Sequence, residues 1–210
     1  MTDEVMTALQ NASDKTGVPL QTLVTMALIE SSGNPKAHTG SYYGLMQMGK
    51  DAVKEVLKKY PAAKLDITSW EKVKTDVTAN ALAGAYYVKL NQAALERSKL
   101  DVSALHLYLA HQCGTHGLKH LLHNVGIQKE FPATKSQLGN MAGSYIKQSG
   151  GGDKVTQKMF YAYWQDKFLK NEDLAVLEMA KKKKSMQVVL PEIRVIDKVI
   201  QQLNSRIVQP

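Results

Sequence analysis

The sequence predicts a mainly α-helical protein with at most a small β element near residues 37–48. Apolar residues recur at helical spacing along most of the chain, and the strict alternation of a strand is nearly missing. The 210 residues, 44% hydrophobic and 22% charged, are enough for one packed domain, or one domain with an appendage.

Val5, Ala8, Leu9 and Ala12 share one face of a first helix over 4–15. Gly17-Val18 breaks that pattern, and Pro19 suits the first position of a second helix. Leu20, Leu23, Val24, Ala27 and Leu28 carry its apolar face to Ser31, where Gly33 and Pro35 stop it. Residues 33–49 follow neither period and hold four of the 14 glycines. A helix is expected over 51–60, ended by Pro61, with Asp51 as its cap. A longer helix is expected over 70–97, two more over 101–112 and 115–124 on either side of Gly114, and another over 134–148. Ser149-Gly150-Gly151-Gly152 is the best linker or loop candidate. It divides residues 1–148 from a C-terminal helical extension at 153–210, either packed on the core or used for targeting. That extension holds an aromatic helix (Phe160, Tyr161, Tyr163, Trp164, Phe168), a charged helix ending in Lys181 to Lys184, and a last amphipathic segment at 191–207.

Composition excludes several classes. A net charge of +8 favours an anionic partner without choosing it. The single cysteine, Cys113, rules out an internal disulfide and a Cys-x-x-Cys zinc site. His-Glu-x-x-His is absent, and no metal or cofactor is expected. No run of 18 apolar residues exists, so stable membrane insertion is not expected. The start MTDEVMTALQ lacks the basic and apolar segments of a signal peptide, so synthesis in the cytoplasm is the expectation. No helix-turn-helix or basic-aromatic signature points to nucleic acid.

Glu30 is the residue that could do chemistry. It falls in the last turn of the second helix, where the carbonyl end of the helix dipole repels an anion. Ala27, Leu28 and Ile29 surround it in the sequence, so desolvation should act in the same direction. Both effects favour a protonated carboxyl, the form a general acid needs.

Four segments follow one another at telling distances: Glu30-Ser31, then Gly44-Leu45-Met46-Gln47, then Asn80-Ala81-Leu82-Ala83-Gly84-Ala85-Tyr86-Tyr87, then Ala110-His111-Gln112-Cys113-Gly114. This order resembles the soluble lytic transglycosylase family of the lysozyme-like superfamily, over roughly residues 18–125. The resemblance implies a lysozyme-like helical fold and cleavage of the β-1,4 bond between N-acetylmuramic acid and N-acetylglucosamine in peptidoglycan glycan strands. By the same resemblance Glu30 protonates the glycosidic oxygen. It then acts as base while the muramoyl 6-hydroxyl closes on C1 to give a 1,6-anhydro product. Ser31, Gly44, Gln47, Tyr87, His111 and Gln112 fall at the family's positions for supporting or contacting substrate; Tyr42, Tyr43 and His38 lie in the loop between Glu30 and Gln47 and could meet sugar.

Two features refine the expectation. A two-carboxylate glycosidase needs a second Asp or Glu about 5–9.5 Å from the first, and none occurs from Ser31 to Lys50. This leans toward cyclisation by one carboxyl; the alternatives are a lysozyme-type hydrolase and a non-catalytic wall-binding or virion structural protein. The family's Ala-Tyr-Asn-x-Gly is departed from at His111 and Gln112. The hydroxyl lost with that Tyr is expected from Tyr87, with Tyr108 a weaker candidate. Cys113 reads as a small core residue, and His116, His120 and His123 as a basic helix face. The protein is expected to be a monomer, reaching the wall as a phage lysin or a delivered effector.

Overall fold

A computed structural model describes residues 1–207, with side chains placed through Lys183. The side chains of Lys184 and of the amphipathic segment at 191–207 lie outside what is described. The chain is mainly α-helical, with a single two-stranded antiparallel hairpin among the described residues.

Helix α1 (Asp3–Thr16) starts at Thr2, whose side chain accepts from the Val5 N–H, and α2 (Leu20–Ser31) follows with Pro19 at its N-cap. Helix α2 ends as Ser32 turns left-handed and the Ser32 and Gly33 N–H groups return to the Leu28 and Ala27 carbonyls. The expected β element is the hairpin of β1 (His38–Thr39) and β2 (Tyr42–Tyr43), paired His38 with Tyr43 and Thr39 with Tyr42.

Helix α3 (Lys50–Lys59) is capped by Gly49. The cap expected at Asp51 is corrected: Asp51 sits in the first turn, favourable to the dipole, paired with Lys54 at 3.2 Å. The helix expected over 70–97 is two, α4 (Trp70–Thr75) and α5 (Val77–Arg97). Asp76 divides them, adopting extended backbone and accepting from the Ala79 N–H at 2.8 Å. An Asx residue offers the chain a cap where periodicity alone predicts continuation. The two helices expected around Gly114 are present: the run α6 (Ala104–Gly126) is two helical stretches that meet at Gly114, whose φ of 71° and ψ of 161° are not helical. The helix expected over 134–148 splits into α7 (Lys135–Gly139) and α8 (Gly143–Gln148).

Residues 149–152 make a tight turn, the Gly151 N–H donating to the Ile146 carbonyl at 3.0 Å. The chain then bridges back at Pro132 and Thr156 and enters α9 (Gln157–Ile207), one long helix where the sequence pattern suggested separate ones. Helix α5 is central and packs on α1, α3, α4 and α6, while α9 lies along α2 and α6. Phe160, Trp164, Phe168 and Ala175 of α9 are buried in the same core as Leu23, Met26, Leu82 and Leu109, so the aromatic stripe serves packing. This arrangement places the end of α2, the hairpin and the middle of α6 around one groove.

Candidate active site

The turn after the hairpin is the most extensively hydrogen-bonded part of the site. Asn80, 1% exposed on α5, holds it with three hydrogen bonds: Nδ2 donates to the Tyr43 and Val73 carbonyls, both at 2.9 Å, and Oδ1 accepts from the Met46 N–H at 2.8 Å. Gly44 is required here. Its φ is +79°, and a Cβ would lie 2.3 Å from Asn80 Nδ2. One turn further along α5, a Cβ on Gly84 would lie 2.7 Å from Met46 Cγ, so that glycine lets the helix approach the turn. Leu45 and Met46 are wholly buried.

The end of α2 is tied to the same turn. Ser31 Oγ donates its one proton between the Leu45 carbonyl (2.8 Å) and the Ala27 carbonyl (3.0 Å) of its own helix. Ser31 therefore fixes the distance between Glu30 and the Gly44–Met48 segment, and its hydroxyl is engaged inside the protein. Gln47 is 8% exposed, with φ +42°, and its Nε2 donates to the Gly44 and Ala37 carbonyls at 2.8 and 3.1 Å. With both amide protons committed, it offers a ligand only its carbonyl oxygen.

Glu30 lies half-buried at the wall of an open groove with two adjoining lobes of about 360 and 350 Å³. The first is lined by Glu30, Thr39, Tyr42, Gln47, His111, Gln112 and Asn140. The second shares Tyr42, Gln47, His111 and Gln112 and adds Tyr87, Gly114 and the start of α3, including Asp51. Each lobe is of the size that takes small ligands, and their shared wall makes an elongated site.

The sequence expectations divide here. Gln47, Tyr87, His111 and Gln112 line the groove. Tyr43 does not: it is stacked on His38 at 4.2 Å, edge-on to Trp70 at 5.8 Å, and under the Lys74 ammonium at 5.2 Å. Side chains alternate along a strand, so its neighbour Tyr42, 54% exposed, is the tyrosine facing both lobes. The tyrosine hydroxyl that interacts with Glu30 is that of Tyr108, the weaker of the two candidates. Gln112 Nε2 donates to the Tyr108 hydroxyl at 2.6 Å, and that hydroxyl lies close enough to the Glu30 carboxyl for the two to interact. Burial, then the Glu30 charge, hold the Tyr108 phenol far above its ordinary ionisation range, so it stays a donor. Tyr87 stands edge-on to His111 at 5.4 Å. Tyr108 lies three residues before His111, where a helix repeats its face; that spacing was the available signal. His111 Nδ1 and Gln112 Oε1 are buried without a partner.

Cys113 is half-buried, and burial pushes its thiol up to about 11, which keeps it protonated and unreactive. His116, His120 and His123 are exposed, and among the described residues no group of three or more His, Cys, Asp or Glu could hold a metal. Lys167 of α9, which sequence reasoning missed, is close enough to Glu30 for their charges to interact.

A half-buried carboxyl at a helix end, beside a groove between a hairpin and long helices, sits in a mainly helical, lysozyme-like fold. Residues 7–132 match the Transglycosylase SLT domain family, and the chain belongs to it. It is a peptidoglycan lytic transglycosylase. No curated protein sequence matches the chain.

Proposed function

We propose that Glu30 is the acid and then the base of non-hydrolytic cleavage at the muramoyl–glucosaminyl bond. Its proton passes to the glycosidic oxygen, and the bond from that oxygen to C1 of the muramoyl residue breaks. The leaving N-acetylglucosamine keeps the proton as a hydroxyl. The muramoyl C6 oxygen then bonds to C1, and its proton goes to the Glu30 carboxylate. No water is consumed, and the enzyme returns to its starting protonation state. Positioned proton transfer of this kind contributes about 10²–10⁴ in rate.

The observation that carries this reading is the Glu30 lobe itself, whose lining contains one carboxylate; the Tyr108 phenol, buried behind the lining, interacts with that carboxylate. The groove's other carboxylate, Asp51, is 95% exposed and paired with Lys54. A hydrolase needs a second group to hold water, and an outward-facing ion pair is poorly suited to that work. Tyr42, the Gln47 carbonyl and His111 are the proposed sugar contacts; Ser31 and Gly44 act by shaping the turn.

The test is digestion of purified peptidoglycan by wild type and Glu30→Gln, read by mass spectrometry. Anhydro-muropeptides from wild type and none from the variant are expected. Products with reducing ends only, or undiminished release by the variant, would overturn the proposal. We propose further that the enzyme acts as a monomer, without cofactor or nucleic acid. It reaches the wall from the cytoplasm, as a phage lysin or a delivered effector. Expression in bacteria with and without a holin tests the delivery, with lysis expected only when the holin is present.

A further inference from the structure

Part of the Glu30 lobe is built from residues beyond the family match. That match ends at residue 132, yet Asn140 lines the lobe together with Glu30, Thr39 and Tyr42. We propose that the Asn140 side-chain amide is a specificity-determining contact of the reaction: it binds the glucosaminyl ring beside the cleaved bond and so sets the register of the glycan strand against Glu30.

The backbone presents this residue at a fixed place. Apolar periodicity predicts one helix over 134–148, but α7 stops at Gly139 and α8 starts at Gly143. Breaks in a local pattern concentrate at functional sites. Helix α7 opens on a reciprocal capping box: Thr134 Oγ1 accepts from the Gln137 N–H at 3.2 Å, and Gln137 Oε1 accepts from the Thr134 N–H at 2.8 Å. Its last turn closes as the Asn140 N–H returns to the Gln137 and Leu138 carbonyls. Beyond Asn140, Met141 is buried in the core, and the Ala142 N–H donates to the Tyr163 hydroxyl of α9 at 3.2 Å. Asn140 is thus held between anchored neighbours, which lowers the ordering cost of binding a ligand there.

The amide itself is uncommitted. Asn140 is exposed, and among the described residues its side chain has no hydrogen-bond partner. The other two amides of this lobe differ: Gln47 Nε2 donates to the Gly44 and Ala37 carbonyls, and Gln112 Nε2 donates to the Tyr108 hydroxyl. Asn140 therefore keeps both an acceptor, Oδ1, and a donor, Nδ2, for a ligand.

That pair matches one of the two sugars in the strand. On a glucosaminyl ring the acetamido N–H at C2 and the hydroxyl at C3 stand on adjacent carbons. The N–H donates to Oδ1, and the C3 oxygen accepts from Nδ2. On a muramoyl ring the C3 oxygen bears the lactyl group, whose bulk stands where the amide must approach. With the glucosaminyl ring held at Asn140, the alternation of the strand leaves the muramoyl C1 and its C6 hydroxyl on the other side of the oxygen that Glu30 protonates.

This inference rests on Glu30 as the acid, so one arm of its test needs no catalysis. In the full-length Glu30→Gln protein, binding of the β-1,4-linked tetramer of N-acetylglucosamine is measured by calorimetry with and without Asn140→Ala. Loss of two neutral hydrogen bonds is expected to weaken binding about tenfold, and affinities within about twofold of each other would overturn the contact. In NMR spectra of the same Glu30→Gln protein, the Asn140 side-chain amide signal is expected to move with N-acetylglucosamine and to stay in place with N-acetylmuramic acid at equal concentration. Equal movement with both would overturn the choice of ring. With Glu30 intact, Asn140→Ala is expected to raise KM for anhydro-muropeptide release about tenfold while kcat stays within about twofold. An unchanged KM would overturn its part in the reaction. If Asn140→Ala fails to fold, Asn140→Ser takes its place under the same criteria. A Glu30→Gln protein that still cleaves peptidoglycan, in which Asn140→Ala weakens tetramer binding, would refute the acid and leave the contact standing.

Discussion

Replacing Asn80 by Ala should loosen the catalytic turn and unfold the protein at a lower temperature. The side chain is 1% exposed and makes three bonds of 2.8 to 2.9 Å, to Met46 N, Tyr43 O and Val73 O. Alanine leaves the buried Met46 N–H without an acceptor, which alone costs about 1–3 kcal/mol, and removes two further bonds worth about 1 kcal/mol each. The sum is about 3–5 kcal/mol, and for a chain of this length each kcal/mol lowers Tm by about 2–4 °C. A fall of roughly 10 °C in calorimetric Tm is therefore expected. Wall clearing should fall at least about tenfold below that temperature, because Gln47 and the groove wall move with the turn. Asn80→Asp sharpens the test. It keeps the acceptor for Met46 N–H and the shape, but sets a carboxylate oxygen against two carbonyls in a dry site. Burial raises the pKa of such a group. The variant should thus be most stable at low pH, where the carboxyl is protonated and can donate, and lose stability as pH rises through its folded pKa. An Asn80→Ala protein that melts within about 2 °C of wild type, against this expected loss, would refute the clamp.

Gly44→Ala should be more severe than a surface change, since its Cβ would fall 2.3 Å from Asn80 Nδ2 at a φ of +79°; a loss of about 3 kcal/mol or more is expected in urea unfolding. Tyr108→Phe removes the hydroxyl between Gln112 and Glu30. Its kcat should fall about 10- to 100-fold, the worth of a hydrogen bond to a charged group, with a near-native circular dichroism spectrum. Cys113, its thiol raised to about 11 by burial, should resist iodoacetamide at pH 8 in the native protein and react quickly in denaturant, as mass spectrometry would show.

Much of this architecture is legible in the sequence because it is local. Helices α1, α2 and α3 carry their own apolar period and stop signals, and the small hairpin falls inside the aperiodic 37–48 segment. Glu30 at a helix end, facing a groove with Gln47 and His111, follows from motif order and is found there. The errors have physical causes too. Asp76 interrupts a continuous apolar pattern because a side-chain cap competes with helix propagation at low cost, whereas at Asn140 the chain turns on backbone bonds alone, its N–H returning to the Gln137 and Leu138 carbonyls. Tyr43 and Tyr42 exchange roles because a one-residue change of strand register turns every side chain over. Lys167 was not legible: its charge acts on Glu30 only because α2 and α9, far apart in sequence, pack together, and one lysine among many carries no local signal.

The motifs also explain one another once their bonds are traced. Ser31 holds the Leu45 carbonyl, Asn80 holds the backbone of Tyr43 and Met46, and Gln47 holds Gly44 and Ala37. Gly44 and Gly84 are the two places where those elements approach too closely for a Cβ. Three of the four sequence motifs therefore serve a single object, the backbone path from Tyr43 to Met48, and Glu30 is set at a fixed distance from it through its neighbour Ser31. The fourth motif works differently, presenting His111 and Gln112 from a helix kinked at Gly114. A substitution inside the first three should lower activity and stability together, because it releases a shared backbone. A substitution at Tyr108, His111 or Gln112 can lower activity alone, since those side chains reach the carboxyl and the groove without holding the turn.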